Sequence, residues 1–309
     1  HGNFLHQTER LPSVLHIKPG HAFLTVLPVW HSFERVVQYI ILTCGAGIAY
    51  SKPVGSIMLA DMQAIQPHWF TSVPRIWESI RDGVNRNIKG QSELKKALFT
   101  FFVGIGESYA YFRDHLLGRM PRFAPKVRIL EVLAAILPFL FLSPLRGLGH
   151  LLVFRKIKSK LGGRFIAGIS GGGALPPSCD RFFSALGILI LEGYGLTETA
   201  PVIGVRYQDK PVPGTVGRPI EGLEVKIVDE LGERVPAGVK GLIMVKGPTV
   251  MTGYYKRPEL TAKAIDENGW LNTGDLGMVT RDGEIRITGR AKDTIVLLGG
   301  ENVEPLPIE

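Results

Sequence analysis

Two rhythms divide this chain, and their order restricts the folds open to it. Up to about residue 205, apolar strand-like runs alternate with stretches of helical periodicity at the spacing of βα units. Ser32 is placed to cap a helix whose apolar positions Phe33, Val36, Val37, Ile40 and Ile41 recur at helical spacing. Strands are expected at Gly47 to Tyr50 and in "PHWFTSV". Pro74 then suits the first residue of the helix "PRIWESIRDGVNR", a position whose N–H has no helical partner. "RFIAGIS" has the pattern of a buried strand, followed by a glycine turn and a helix opened by Pro176 and Pro177, and "GILILEGYG" is a further apolar strand. From Gly214 the rhythm becomes two-residue alternation in "LEVKIVD", "GLIMVKG" and "GEIRITG", with turns at Asp229 to Gly232 and at Asp282-Gly283.

The fold class that follows is α/β: a mostly parallel, helix-flanked sheet, then a compact antiparallel β subdomain. Residues 1–213 form the α/β part, with an insert at about 90–160. Residues 214–288 form a barrel-like subdomain and 289–309 lead away from it.

Hydrophobic residues make up 45% and charged residues 21%, which excludes a disordered polymer. Mean hydropathy is slightly above zero and directs attention to membrane contact. The longest apolar run, Ile129 to Leu142, is broken by Glu131 and Pro138 and falls short of the roughly 20 residues that span a bilayer, so no transmembrane helix is expected. The net charge of +8 suits an anionic ligand, a membrane surface or nucleic acid. Cys44 and Cys179 form no spaced metal motif and are too few for a disulfide framework, so a reducing, cytoplasmic setting is expected. No signal-peptide pattern precedes the first element.

Chemistry concentrates in a few segments. "GYGLTET", Gly193 to Thr199, leaves a buried strand and turns at the carboxyl end of the sheet, where open α/β sheets bind ligands. Thr197 offers a hydroxyl to a phosphate oxygen, Glu198 a hard carboxylate to Mg²⁺, and Tyr194 a flat face to a purine. The same residues equally suit the start of a capped helix. "SGGGALP", Ser170 to Pro176, is a second glycine turn that lets backbone approach a ligand closely. "WLNTGDLG" places Asp275 after a glycine, where a carboxylate can accept from both hydroxyls of a ribose or cap a turn. "ITGRAKDTIVLLGGENVEP" carries Arg290, Lys292 and Asp293.

Taken together, "LPVWHSFE", "SGGGALP", "GYGLTET", "GTVGRP", "WLNTGDLG" and "GRAKDTIVLLGGENVEP" resemble the adenylate-forming superfamily of acyl-CoA synthetases, nonribosomal-peptide adenylation domains and luciferases. "HSFERVV" and the long insert before "SGGGALP" look like the long-chain fatty-acid–CoA ligases within it. The resemblance runs from Leu27 to Pro305. It implies an enzyme that joins a fatty acid to ATP as acyl-AMP and then to coenzyme A, with Mg²⁺ as cofactor. It also implies that Gly171, Gly172, Gly173 and Ala174 line the adenine and acyl pocket, and that Tyr194, beside Gly195, stacks on adenine. Thr197 would hold the α-phosphate, Glu198 the Mg²⁺, and Asp275 with Arg290 the ribose hydroxyls. His31 matches a histidine near the substrate carboxylate, or is a satisfied surface histidine at a helix start, and Lys292 matches the hinge about which a small domain rotates, bringing Gly299 to Asn302 to the thiol-binding face. The family's phosphate loop is expected before His1, and 289–309 are expected to be the hinge and start of its small C-terminal domain, the rest of which follows Glu309, so residues 1–309 are expected to be inactive alone.

Two rivals follow from the same segments: a ligase that uses an acyl-carrier protein as the thiol acceptor, and a module that binds nucleotide or acyl chains without turnover. Basic residues Arg113, Arg119, Arg122, Lys126 and Arg128 precede the apolar run, and Arg155, Lys156, Lys158 and Lys160 follow "GHLLVF". This flanking suits peripheral attachment of 113–160 to the anionic inner face of a membrane, or an insert helix packed on the domain with solvated lysines. Nucleic acid is set aside, because aromatics do not interleave with the basic clusters and no recognition motif is present.

Overall fold

Pro74 sits at the first position of its helix, and the chain before it is extended. That local rule repeats along the computed structural model, which describes residues 1–125 and 127–291 and the backbone of two short strands beyond. In chain order the elements are α1 (Gly2–Leu15), β1 (Ala22–Thr25), α2 (Ser32–Thr43), β2 (Gly47–Tyr50), α3 (Gly55–Ile65), β3 (Trp69–Ser72), α4 (Pro74–Lys89) and α5 (Glu93–Leu116). Next come α6 (Arg128–Gly149), which runs on through a π-helical turn (His150–Phe154) into α7 (Arg155–Ser159), then β4 (Ala167–Ser170), α8 (Pro177–Leu186) and β5 (Leu189–Gly195). A 3₁₀ turn (Thr197–Thr199) leads to β6 (Val202–Val205), β7 (Arg218–Pro219), β8 (Glu224–Val228), β9 (Gly241–Lys246), α9 (Pro258–Ala264), β10 (Leu271–Val279) and β11 (Ile285–Arg290). The last pair is β12 (Ile295–Val296) and β13 (Asn302–Val303).

Strand pairing gives a seven-strand order β2-β1-β3-β4-β5-β6-β7, parallel from β2 to β5 and antiparallel from β5 to β7. A separate antiparallel sheet has the order β11-β10-β9-β8. The α/β class is therefore as the sequence implies. The second sheet is open rather than barrel-like, since its strand order leaves β11 and β8 at opposite edges. Two compact bodies result, and their division falls inside β5.

The α/β body comprises His16–Met120 and Val127–Glu192. Its core is aromatic: Trp77 from α4 packs edge-on against Phe70 of β3 at 5.4 Å and Phe183 of α8 at 5.3 Å. Gly168 in β4 admits that indole, for a Cβ there would lie 2.1 Å from it. On the insert, α5 carries α6: Tyr109 stacks on Phe139 at 5.0 Å, and Gly149 lies so close to Phe102 that a Cβ would meet its ring at 2.8 Å.

The apolar insert differs from its sequence reading. Pro138 and Pro144 lie inside α6, and the helix continues unbroken from Arg128 to Ser159. Each proline removes one N–H donor from a turn, and packing on α5 holds the rest. By length and composition alone this helix is sufficient to cross a membrane.

The β body comprises His1–Leu15, Pro121–Lys126 and Gly193–Glu309. Here α1 acts as a clasp: the Gln7 amide donates to the carbonyls of Thr199 and Val202, and Asn3 donates to those of Pro248 and Val250. Arg122 donates to Asp282 at 2.8 Å and holds that carboxyl below the usual aspartate range.

Candidate functional site

In the β body, the end of β5 and the β10–β11 hairpin bring three predicted residues together. The Tyr194 phenol donates to Asp275 Oδ2 at 2.7 Å, and Arg290 Nε meets Oδ1 of the same carboxylate at 3.2 Å. Asp275 and Arg290 face each other in the β10–β11 ladder. The aspartate side chain is 6% exposed, whereas the arginine is 62% exposed, so the cluster presents a cation over a nearly buried anion. Burial, and then the Asp275 charge, hold the Tyr194 phenol far above the ordinary tyrosine range, so it stays a donor. Local geometry aims Asp275. Its register with β9 is irregular between Asn272 and Leu276, Gly274 has φ +71°, and Thr273 Oγ1 accepts from the Asp275 N–H while donating to the Ile243 carbonyl.

"GYGLTET" does not open a helix. It forms a three-residue 3₁₀ turn in which the Leu196 N–H donates to Thr199 Oγ1 at 3.0 Å. Gly195 is required there, because a Cβ would lie 1.8 Å from the Pro201 carbonyl oxygen. The turn leaves Thr197 exposed. Glu198 is held at both ends: its carbonyl accepts from Met251 N–H, and its Oε1 accepts from the Tyr254 hydroxyl, each at 2.8 Å. That hydrogen bond to Glu198 raises the Tyr254 phenol pKa. Among the described residues, no three His, Cys, Asp or Glu gather as a metal cluster.

In the α/β body, Ser170 ends β4 and Gly171 to Ala174 turn at its carboxyl end. Gly171 is buried beneath Phe33, whose ring a Cβ would meet at 3.1 Å, while Gly172, Gly173 and Ala174 are exposed. His31, not Ser32, caps α2: its Nδ1 accepts from the Phe33 N–H, and Ser32 is the first helical residue. A histidine nitrogen reaches the free N–H as a serine oxygen does, and the other ring nitrogen, on an exposed side chain, is left as donor. Three buried hydroxyls at the carboxyl ends of β3 and β4, those of Thr71, Ser72 and Ser170, have no hydrogen-bond partner among the described residues. Ser72 and Ser170 are ladder partners. Unmet buried hydroxyls at this end of a parallel sheet are open to a ligand or water.

Sequence reasoning did not single out Glu192, Thr273 or Tyr254. Glu192 Oε1 accepts from the Leu175 N–H at 2.9 Å and so pins the glycine turn. A buried glutamate inside an apolar strand was the one visible signal; nothing local marks the other two. Lys292, Asp293 and residues 299–301 lie outside the described residues.

The profile of a family described as "AMP-binding enzyme" matches residues 1–255. "Probable acyl-activating enzyme 16, chloroplastic" of Arabidopsis thaliana is 41% identical over 327 residues, covering all of this chain and 45% of that protein. "Long-chain-fatty-acid--[acyl-carrier-protein] ligase AEE15, chloroplastic" of the same plant is 39% identical, covering all of this chain and 44% of its own length. The chain thus spans less than half the length of these curated relatives. Among solved structures, the ATP-bound RpMatB-BxBclM chimera B3 superposes with a TM-score of 0.70 at 25% identity, covering all of this chain and 48% of that one.

Proposed function

The chain belongs to the AMP-binding enzyme family, and from that premise we propose that its protein activates a long-chain fatty acid by adenylation. A carboxylate oxygen of the acid attacks the α-phosphorus of ATP, and the bond to the β-phosphate oxygen breaks with its electron pair leaving on pyrophosphate. The thiol of coenzyme A then attacks the acyl carbon, loses its proton to solvent and expels AMP. The observation that carries the reading is the Tyr194–Asp275–Arg290 cluster around a nearly buried carboxylate.

Each residue has a task in this scheme. Tyr194 stacks on adenine while its hydroxyl keeps Asp275 fixed; Asp275 and Arg290 take the ribose hydroxyls. Thr197 donates to the α-phosphate, where charge builds during attack. Glu198 would hold Mg²⁺, which when bound offsets charge on the phosphate oxygens. Gly171 to Ala174 offer backbone to the adenine and acyl pocket, His31 offers its outer ring nitrogen to the acid, and Lys292 serves as the hinge.

A second reading, an acyl-carrier protein as thiol acceptor, is supported by the relative at 39% identity that bears that activity in its name. The test is acid-dependent ATP–pyrophosphate exchange by the full-length protein with acetate, octanoate and palmitate, followed by acyl transfer to coenzyme A and to holo acyl-carrier protein. Strongest exchange with palmitate, lost by orders of magnitude in Glu198→Ala, is the expected result. The second stage separates the two acceptors. No exchange by folded protein that still binds ATP would replace the enzyme with a non-catalytic module.

A further inference from the structure

A helix packed on a water-soluble surface places its apolar face inward and its charges outward. In α6 the arrangement is reversed. The outward stripe of α6 and the π-helical turn that continues it, which includes Leu130, Leu133, Leu137, Leu140, Phe141 and Leu151, is apolar for about 32 Å of helix. Leu137 is 76% exposed and Phe141 73%. The polar residues of the same helix turn toward the protein. Arg146 lies over the Tyr109 ring at 5.9 Å and over the Phe154 ring at 4.6 Å, and Glu131, Ser143 and His150 are partly covered. Charge collects at the ends of the stripe: Arg128 at one, and Arg155, Lys156 and Lys160 at the other, all exposed.

We infer that α6 lies flat in the headgroup layer of an anionic bilayer, with its outward stripe in the acyl region and the basic residues at its ends on lipid phosphates. The inference goes beyond the proposed reaction and does not depend on it. Three observations choose this occupant. The stripe is uncharged and its ends are cationic, which matches acyl chains bordered by phosphate. Its inner side is taken by α5, through the Tyr109–Phe139 stack and the close contact of Gly149 with Phe102, so lipid reaches one side only. Pairing with a second copy of the same face would bring basic ends together in either direction, which like-charge repulsion opposes. Not every basic residue serves lipid: Arg113 is paired with Asp114, Arg122 with Asp282, and Lys158 donates to the Gly187 carbonyl.

The test is sedimentation of the purified full-length protein with vesicles of phosphatidylcholine, or of equal parts phosphatidylcholine and phosphatidylglycerol, at low and high salt. The wild type is expected to partition onto the anionic vesicles and to be released by alkaline carbonate. Leu137→Glu/Phe141→Glu should lower partitioning on both vesicles by at least about tenfold, with an unchanged circular dichroism spectrum. Arg155→Gln/Lys156→Gln, which leaves the stripe intact, should lower it roughly thirtyfold on anionic vesicles at low salt and little on neutral ones. Absence of partitioning by folded wild type overturns the inference, as does equal partitioning of wild type and both variants. So does a wild-type dimer, made monomeric by Leu137→Glu/Phe141→Glu, that ignores lipid; there a second copy covers the face. Resistance to carbonate with release only by detergent would make α6 a spanning helix and overturn the flat placement.

Discussion

Tyr194 and Asp275, 81 residues apart in the chain, are joined by a 2.7 Å hydrogen bond from the phenol to a carboxylate that is almost wholly covered. Tyr194→Phe keeps the ring and withdraws a donor from a charged acceptor, a loss of about 1.5–3 kcal/mol. Denaturant unfolding should show a lower midpoint with the slope unchanged. A midpoint equal to wild type would mean the bond adds nothing to stability in water.

In the proposed reaction Asp275 takes ribose hydroxyls, a task that a neutral amide performs poorly. In the full-length protein, Asp275→Asn is expected to raise the KM for ATP about tenfold, the loss of one charge-assisted contact. The same substitution should matter less with 2′-deoxyATP, which lacks one of the hydroxyls at issue. An equal penalty for both nucleotides would remove Asp275 from the 2′-hydroxyl.

Glu34 is fully buried, accepting from Thr25 Oγ1 at 2.6 Å and from Gln38 Nε2 at 3.0 Å. Burial raises its pKa, and the two hydrogen bonds pull against that shift without cancelling it. The folded state therefore holds its proton more tightly than the unfolded chain does. Its contribution to stability is complete below the unfolded glutamate pKa and is lost as pH climbs through the raised folded value. Urea unfolding of Glu34→Gln should exceed wild type at neutral pH, with the gap closing in acid. A gap that is constant across pH would show that Glu34 does not titrate differently on folding.

Gly168 faces the buried indole of Trp77, with room for hydrogen and none for carbon. Gly168→Ala forces strand and helix apart, and overpacking of this kind costs about 1–3 kcal/mol. Thermal unfolding should register the loss. Paired with Trp77→Phe, the alanine should cost less than alone, and additive losses would refute the steric account.

Local chemistry was legible and long-range pairing was not. Pro74, Pro177 and the two-residue alternation after Gly214 announce their elements, because each acts within a few residues of itself. The cap of α2 was misassigned by one position, since His31 does with Nδ1 what Ser32 was expected to do with its hydroxyl. The apolar insert was cut short because Glu131 and Pro138 suggest a break, whereas contact with α5 carries the helix through both. Tyr194 is expected from sequence to offer a face, and the structure shows its hydroxyl bound to Asp275. Its acceptor lies on another strand, and no window of sequence around Tyr194 contains Asp275.

The clasp formed by α1 has a consequence for how the molecule is made. Gln7 and Asn3 bind carbonyls that lie 192 to 247 residues further along. At about 5–20 residues per second, the ribosome delivers those partners about 10–50 s after α1 has left it. During that interval the Gln7 and Asn3 amides lack the downstream carbonyls they finally meet. The contiguous stretches of the α/β body can meanwhile assemble from neighbours already made. The segment is thus fastened to its downstream partners late, and a nascent-chain chaperone has a long opportunity there.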